Sequence, residues 1–369
     1  MNFTSVLEIN TSIIRDNYLI LKQLSKSEVA AAVKANAYGL GATEITRTLI
    51  NGGCDKFFVA TLNEAIALRK HFKTIKIYSL SGESSLEESY FLEHNIIPVL
   101  NNIRQIESFN NFCNQKSVKY PAILHIDSGM NRLGVPQYEM EYLCNNLHIL
   151  SNLNIEYAMS HLASSEEQDN EFNKIQLGSF NLLRKDLSNS FKKAGMNFNL
   201  KASIANSAGI FLGDNYHLDL VRPGAAIYGL QLNAKMSVFS NPVRLFSRLI
   251  QVKNLAIGNS LGYNLTHKLT RDSVIGTVPI GYADGIFRNL SNIGCCYIGD
   301  YKAKMIGRVS MDLINIDLTD IPDKLRQEGQ EIDFICNKQT PSMLANDAGT
   351  IGYEVLTSLG NRYERKYLK

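Results

Sequence analysis

The sequence lacks the features that mark metal-binding, disulfide-bonded or membrane proteins. Its six cysteines form no C-x-x-C pair and no zinc-like spacing with histidine. No apolar run approaches the roughly 18 residues that could span a bilayer, and residues 1–5 lack the basic start and apolar core of a signal peptide. We therefore expect reduced thiols, no metal, no membrane partner and a cytoplasmic location.

Blocks of like charge are also absent. The 369 residues carry 38 basic and 35 acidic side chains, a formal charge of +3, and no stretch concentrates either sign. Nucleic acid would therefore find little to bind, and small-molecule chemistry is the better expectation. A hydrophobic content of 45% is ordinary for a globular protein. Because the chain is longer than one core usually supports, we expect two domains.

Short apolar runs alternate with helical stretches through the first two thirds of the chain. The runs are 29–33, 57–60, 75–80, 96–100, 122–126, 155–160, 200–204 and 218–221. The helical candidates are 43–50, 62–71, 86–94, 103–112, 138–147 and 172–185. Parallel neighbours need a crossover connection, so this alternation predicts a parallel α/β sheet. Eight units fit a closed (β/α)₈ TIM-type barrel better than an open sheet, although Pro98 is unfavourable in the fourth run.

The pattern is different at the two ends of this region. Residues 4–9 alternate like an edge strand, and residues 10–24 have helical spacing. After Leu232 the chain has short runs split by turn residues, which predicts a mostly β second domain. Those runs are 244–252, 273–279, 295–298, 303–309, 313–317 and 331–335. We place the linker at 233–241 and the domains at 1–236 and 237–369.

Polar residues follow several of the barrel runs. They are Lys34 after the first, Asp127 and Arg132 after the fifth, His161 after the sixth, Asn206 and Ser207 after the seventh, and Arg222 after the eighth. Barrel enzymes gather their catalytic residues at the carboxyl ends of the strands. Each of these residues alone could be a core histidine or an ion-pair partner. On one rim they predict an active site.

Lys34 and two later turns indicate a cofactor. A lysine at the dry end of a strand loses hydration, which lowers its pKa and favours imine formation, although a packed stem with a solvated ammonium is the alternative. The turns Asn206-Ser207-Ala208-Gly209 and Arg222-Pro223-Gly224-Ala225 could bind phosphate through backbone N–H groups, with plain turn chemistry as the alternative. An imine-forming lysine facing a phosphate site suggests pyridoxal 5′-phosphate.

The sequence resembles the alanine racemases, the barrel-fold class of pyridoxal-phosphate enzymes, over nearly its whole length. The barrel motifs are AVKANAYG at 32–39, DSGMNRLG at 127–134, NSA at 206–208 and VRPG at 221–224. The second-domain motifs are GY at 262–263, GYADG at 281–285, GRVSMD at 307–312 and GTIGYE at 349–354. Eight motifs in the family's order make chance similarity improbable.

The resemblance implies a racemase that interconverts L-alanine and D-alanine with two bases. Lys34 would bind the cofactor covalently and act as one acid/base, and Tyr263 would be the other. Racemisation removes a proton from one face of Cα and returns it to the opposite face, so two groups on opposite sides suffice. His161, linked to Arg222, would assist Tyr263. In this family the tyrosine comes from the partner subunit, so a homodimer with shared active sites is implied.

The resemblance also assigns the remaining contacts. Arg222 would face the pyridine nitrogen, and Arg132 would meet the cofactor's phenolic oxygen and the substrate carboxylate. The backbone N–H of Met311 from the partner chain would meet the same carboxylate. The phosphate group would be held by Tyr38, Ser207, Tyr353 and the backbone at Gly224 and Ala225, and Asn206 would also bind the cofactor.

Several positions depart from the family pattern. His125 stands where many members have a lysine that orients the arginine, so Arg132 would be held by His125, a bound anion or another polar group. Leu40 replaces a frequent histidine, Asn264 replaces a usual glycine after the tyrosine, and residues 362–365 lack the usual proline. Two other functions stay open. One is a racemase for serine or another small amino acid, and the other is a non-catalytic pyridoxal-phosphate carrier, which would need no second base.

Overall fold

The first described strand joins the sheet of the second domain, and a barrel of parallel strands and helices follows it. The computed structural model describes residues 5–82, 87–195 and 200–369. Strand β1 (Ser5–Asn10) leads into the helix Thr11–Leu24, which begins where the Asn10 side chain accepts a hydrogen bond from the Ile13 N–H. The barrel strands are β2 (Glu28–Val29), β3 (Ala31–Ala32), β4 (Lys56–Val59), β5 (Lys76–Ser79), β6 (Ile97–Leu100), β7 (Tyr120–His125), β8 (Leu153–Met159), β9 (Lys201–Ser203) and β10 (Leu220–Val221).

The strands close into the barrel that the sequence predicts. Strands β3 to β9 form one parallel sheet in chain order, and β10 pairs with β2. The Ala30 N–H donates to the Val221 carbonyl at 3.0 Å, and the Arg222 N–H donates to the Ala205 carbonyl at 2.9 Å. The first and last units are thus joined through β10. Pro98 lies within β6, where it is in register with Ser79 of β5.

The helices agree with the predicted stretches and usually run somewhat further. They are Ala42–Asn51, Leu62–His71, Glu88–His94, Ile103–Gln115, Gln137–Asn145 and Phe172–Lys193, with Pro341–Ala348 and Gly352–Ser358 near the end of the chain. Residue 86, where we predicted one helix to begin, lies outside the described residues. The polar residues at a helix end do not contribute to the apolar periodicity from which helices are predicted, so the length of some helices was underestimated. None of the described helices has both the length and the apolar character that a membrane crossing requires.

The barrel interior is filled by side chains. Phe58 and Tyr78 stack there with ring centroids 4.6 Å apart. The interior cluster comprises Ala30, Phe58, Tyr78, Ile97, Val99, Ile123, Tyr157, Met159 and Leu220. Burying a side chain such as Phe58 contributes about 1.5–3 kcal/mol. The packed interior leaves the carboxyl ends of the strands as the place for a cavity.

The second domain is built on a nine-stranded sheet. Its order is β12-β15-β18-β17-β16-β19-β11-β1-β20. Its strands are β11 (Val243–Arg248), β12 (Gln251–Leu255), β15 (Ser273–Val278), β16 (Cys295–Ile298), β17 (Tyr301–Ile306), β18 (Ile314–Asp317), β19 (Glu331–Ile335) and β20 (Glu364–Leu368), and a separate hairpin joins β13 (Ser260–Leu261) to β14 (His267–Lys268). The mostly β second domain is therefore confirmed.

Two predictions about individual strands were wrong. We expected an edge strand at 4–9, of which residue 4 lies outside the described residues. Instead β1 pairs with β11 on one side and β20 on the other, and its Leu7 and Ile9 are fully buried. We also expected one strand at 244–252. The chain breaks at Leu249 and Ile250, whose N–H groups bond to different partners, Gln330 and Thr277, and β11 and β12 then lie far apart in the sheet.

Candidate active site

A cavity of about 490 Å³ lies at the carboxyl ends of the barrel strands. Ten predicted site residues line it: Lys34, Tyr38, Arg132, His161, Asn206, Ser207, Arg222, Gly224, Ala225 and Tyr353. The first nine come from loops after five different strands, and Tyr353 comes from the short helix Gly352–Ser358. The barrel topology thus brings together residues that are separated by more than three hundred positions in the chain.

Lys34 begins an unusual left-handed turn. The four residues after it, Ala35 to Tyr38, all have positive φ, with values of 50°, 54°, 53° and 56°. Left-handed backbone costs a residue with a Cβ about 1–2 kcal/mol, so external bonds must hold the turn. The Ala37 N–H donates to the Val33 carbonyl at 2.9 Å, and the Asn36 side chain accepts from the Ala42 N–H at 2.8 Å. The turn directs Lys34 and Tyr38 into one cavity.

The Lys34 amine lies in a partly buried and mainly cationic environment. Burial and the nearby Arg132 charge lower the pKa of the Lys34 amine below its ordinary value, and the Glu64 carboxylate opposes them. A lowered pKa increases the fraction of neutral amine, which is the nucleophilic form. The structure therefore supports Lys34 as an imine-forming residue.

Arg222 is a buried cation that bonds to no carboxylate in the described part of the chain. Its side chain is only 7% exposed. The guanidinium donates to the Ser203 hydroxyl and, at 2.6 Å, to the Ser160 carbonyl, and it lies over the Phe58 ring. Burial lowers the pKa of Arg222. A cation in such a place needs hydrogen bonds to remain there, and the neighbouring strands β8 and β9 supply them.

Two histidines beside Arg222 are held neutral. Burial and the charges of Arg222 and Arg132 lower the pKa of His161 well below its ordinary value, and the same influences lower that of His125 to about 3. The His125 Nδ1 lies 2.7 Å from the Asn101 Oδ1. Because the Asn101 amide nitrogen donates to the carbonyls of Leu80 and Val99, its oxygen must be the acceptor. Nδ1 of His125 therefore carries the proton, and Nε2 keeps its lone pair.

Arg132 makes no hydrogen bond or ion pair with any described residue. Its loop is shaped instead by Asp127, whose carboxylate accepts from the N–H groups of Gly129 at 2.9 Å and Asn131 at 3.2 Å. We predicted that His125 is one of the groups that could hold Arg132. In the structure His125 bonds to Asn101 through Nδ1 and makes no bond to Arg132. An exposed guanidinium at the rim of the cavity is suited to an anionic ligand.

Hydrogen-bond donors gather on the side of the cavity formed by the last two barrel loops. The Ser207 hydroxyl accepts from the N–H groups of Gly224 at 3.0 Å and Ala226 at 3.1 Å, so its proton can point into the cavity. Tyr38 is a buried residue that lines the cavity, and its hydroxyl has no hydrogen-bond partner among the described residues. Tyr353 donates to the Glu166 carboxylate at 3.4 Å. The Tyr38 and Ser207 hydroxyls therefore fit a phosphate group, and Tyr353 would join them only by exchanging its bond to Glu166.

Gly224 is required by its close contact with Tyr38. A Cβ at this position would overlap the Tyr38 hydroxyl oxygen and press on the Ala32 side chain. Its φ is negative, so the constraint is space and not backbone conformation. The glycine therefore lets the main chain of the last barrel loop lie against the Tyr38 hydroxyl.

Tyr263 and Met311 lie in the second domain and do not line this cavity. Tyr263 is 68% exposed and Met311 is 53% exposed. Asn264, which follows Tyr263, has a φ of 58°. Asparagine tolerates this left-handed conformation, which explains how it can stand where the resembling proteins have glycine. Within one chain the structure does not bring the two expected bases together.

Several residues that hold the site were not predicted from the sequence. Ser160 and Ser203 position Arg222, Asn101 fixes the tautomer of His125, and Glu166 accepts the Tyr353 bond. Asn101 follows β6 and so could have been found by the same strand-end argument. Glu64 was recognisable as part of a Thr-x-x-Glu capping box. Its contact with the Lys34 turn could not be inferred from local pattern.

Comparison with known proteins agrees with this geometry. A family model described as the N-terminal domain of alanine racemase matches residues 9–232, and one described as the C-terminal domain matches residues 242–367. The alanine racemase of Rickettsia canadensis is 47% identical over 367 residues, covering 98% of this chain and 99% of the relative. That of Rickettsia akari is also 47% identical, with the same coverage of both chains.

Solved structures give the same result. The crystal structure of alanine racemase from Bartonella henselae with covalently bound pyridoxal phosphate superposes with a TM-score of 0.93, at 36% identity and full coverage of both chains. The biosynthetic alanine racemase from Pseudomonas aeruginosa gives a TM-score of 0.88 at 29% identity, again over both full chains. The barrel, the β domain and the two family matches lead to one conclusion: this chain belongs to the alanine racemase family.

Proposed function

We propose that this protein is a pyridoxal-phosphate-dependent racemase that interconverts L-alanine and D-alanine. The observation that carries the proposal is the cavity in which the Lys34 amine, the buried Arg222 cation and the donors of the last two barrel loops face one another. Membership of the alanine racemase family supports the reaction and the cofactor.

The residues present fit the cofactor. The hydroxyls of Tyr38 and Ser207 and the backbone at Ala225 can hold a phosphate, and Arg222 can face a ring nitrogen. The Tyr353 hydroxyl and the Gly224 N–H, which here bond to Glu166 and Ser207, would have to exchange those bonds for the phosphate. When bound, the cofactor supplies an aldehyde that condenses with amines and a ring that withdraws electrons from the substrate Cα. A permanent cation at the ring nitrogen disfavours protonation there, which favours racemisation over transamination.

Two bases on opposite faces of Cα complete the proposed mechanism. Lys34 would exchange the proton on one face and Tyr263 of the partner subunit on the other. A tyrosine has an ordinary pKa near 10, so we infer that the positive charge of Arg222, with neutral His161 beside it, stabilises its phenolate. Arg132 and the Met311 backbone N–H of the partner subunit would bind the substrate carboxylate. A non-catalytic carrier of the cofactor would need neither Tyr263 nor Met311.

We infer a homodimer with shared active sites. Tyr263, Leu265, Met311 and Leu313 of the second domain are each exposed, and a partner could cover them. The domain division at 236/237 and a cytoplasmic location also stay proposals. The family matches on either side of 233–241 support the domain division. The free cysteines of the described residues support the cytoplasmic location.

The proposal is tested with L-alanine and chiral product analysis. Wild type should yield D-alanine and show the visible absorbance of a lysine imine. Lys34→Ala should lose both, whereas Tyr263→Phe should keep the absorbance and lose at least 100-fold in turnover, because the phenol is needed only for proton exchange. Full activity of Tyr263→Phe would contradict the two-base mechanism. Parallel assays with L-serine decide between alanine and another small amino acid.

A further inference from the structure

The turn that carries Lys34 is tied to the neighbouring barrel loop by the Glu64 carboxylate. Oε1 accepts from the Ala35 N–H at 2.6 Å, directly after Lys34. Oε2 accepts from the N–H groups of Ala60 at 2.7 Å and Thr61 at 3.3 Å, at the end of β4. Strands β3 and β4 are neighbours in the barrel. One side chain therefore joins the first two loops of the active-site rim.

The bond to Ala35 is additional to ordinary helix capping. Thr61 and Glu64 form a capping box at the start of the helix Leu62–His71. A capping box requires the glutamate to bond only the N-cap backbone, which here is Thr61. The Oε1 atom is instead committed to a residue 29 positions earlier. This contact serves the Lys34 turn and is not needed to begin the helix.

The Lys34 turn depends on such a bond because its backbone is unfavourable. Ala35 is the first of four consecutive left-handed residues, and each has a Cβ that disfavours this conformation. A charge-assisted hydrogen bond at the first of them is stronger than a neutral one. The direction in which Lys34 leaves the strand is set at this peptide.

Glu64 is also the anion that acts on the Lys34 amine among the described residues. The other charged or titratable groups that interact with this amine are Arg132, on the loop after β7, and His161, after β8. Burial and Arg132 lower the pKa of Lys34, and Glu64 raises it. The carboxylate thus limits how far the cationic cavity depresses the basicity of the lysine.

We propose that Glu64 is a positioning residue for Lys34, which fixes the turn through Ala35 and supplies the negative charge beside the amine. The proposal rests on the proposed role of Lys34 and adds to it a residue that sets the geometry and basicity of the lysine from the adjacent βα unit.

The test compares Glu64→Gln with Glu44→Gln in the holoenzyme. Glu44 occupies the third position of the preceding helix, Ala42–Asn51, and its carboxylate lies 3.6 Å from Arg47 at the surface. In Glu64→Gln we expect the pH midpoint of the visible imine absorbance to fall by about half a unit or more, because a charge that favours the protonated form is lost. We expect kcat to fall about tenfold with KM changed less than threefold. Glu44→Gln should match wild type in both.

Glu64→Asp separates charge from reach. It keeps the negative charge but is one methylene shorter, so the pH midpoint should return towards wild type while kcat stays low. Wild-type pH midpoints and kcat in both Glu64 variants would overturn the proposal. If Glu64→Gln does not fold, as judged by circular dichroism, the aspartate variant decides alone: reduced kcat supports the role and unchanged kcat refutes it.

Lys34→Ala, measured in parallel, keeps the two proposals distinct. A wild-type imine absorbance that survives in Lys34→Ala would refute the proposed role of Lys34 itself. In a second outcome, the absorbance is lost in Lys34→Ala, but both Glu64 variants keep the wild-type pH midpoint and kcat. That result would refute only the role of Glu64.

Discussion

The residues around the cavity show how a cation is kept where no carboxylate neutralises it. Arg222 is bonded to a hydroxyl and a carbonyl and packs against an aromatic ring. Each of these partners is neutral, so the positive charge remains available to a ligand. Burial, and next the same charge, lower the pKa values of His161 and His125, which stay uncharged. The electrostatics of the site therefore centre on this arginine.

Gly224→Ala tests whether the close contact between Gly224 and the Tyr38 hydroxyl is needed for cofactor binding. The added Cβ would overlap the Tyr38 hydroxyl oxygen and force the last barrel loop or the tyrosine to move. We expect pyridoxal phosphate to bind at least tenfold more weakly, equivalent to about 1.4 kcal/mol or more, as measured by absorbance titration of the cofactor-free protein.

Gly178→Ala is the matched control for this prediction. Gly178 lies in the interior of the helix Phe172–Lys193, and a Cβ there would meet nothing within 4 Å. We expect unchanged cofactor affinity and a gain in stability of about 0.5–1 kcal/mol, because alanine favours the helix. Equal cofactor affinity of the two variants would contradict the crowding argument at Gly224.

At the scale of elements, strands and helices of both domains were well predicted. The predicted helix 62–71 and the predicted strands 295–298 and 331–335 agree with the structure residue for residue. These segments have clear apolar runs or periods. The hairpin of β13 and β14 and the final strand β20 are largely polar and were not predicted. The left-handed Lys34 turn was not predicted either, because alanine, asparagine and tyrosine carry no local preference for four such residues in succession.

Strand β1 offers a test of how the second sheet is held together. Leu7 is fully buried and lies between Leu245 on β11 and Arg365 on β20. Leu7→Ala should reduce the free energy of unfolding by about 2–5 kcal/mol, since a cavity remains in a core that cannot collapse fully. Urea denaturation followed by circular dichroism measures this.

Leu368→Ala is the control on the edge strand β20. Its side chain is largely exposed, so we expect a loss of less than about 1 kcal/mol. Equal losses in the two variants would mean that β1 does not form part of the core of this sheet.

At the scale of the whole molecule, one chain holds an incomplete set of proposed catalytic groups. The cavity contains Lys34, whereas Tyr263 and Met311 are exposed on the other domain. A twofold interface repeats the same contacts on both sides, so each site would receive the tyrosine of its partner. The predicted homodimer accounts for the separation.

Complementation between two inactive variants tests this arrangement. A mixed dimer of Lys34→Ala and Tyr263→Phe would have one site with both residues intact and one with neither. Random assembly in equal amounts gives half mixed dimers, so activity should recover to about a quarter of wild type if the interface is twofold symmetric. Racemisation is measured after co-expression or after unfolding and reassembly of the mixture. No recovery would place both bases in one chain.

The sequence by itself determined the fold class, the position of Lys34 and the set of residues on the barrel rim, because period and strand-end placement are local properties. The resemblance to alanine racemases added Tyr263 and Met311, whose roles stay predictions. Tertiary structure alone decided that β1 joins the second sheet, that Ser160 and Ser203 hold Arg222, and that Glu64 reaches Ala35. Each of these contacts depends on strands that are distant in sequence becoming neighbours, which no local pattern records.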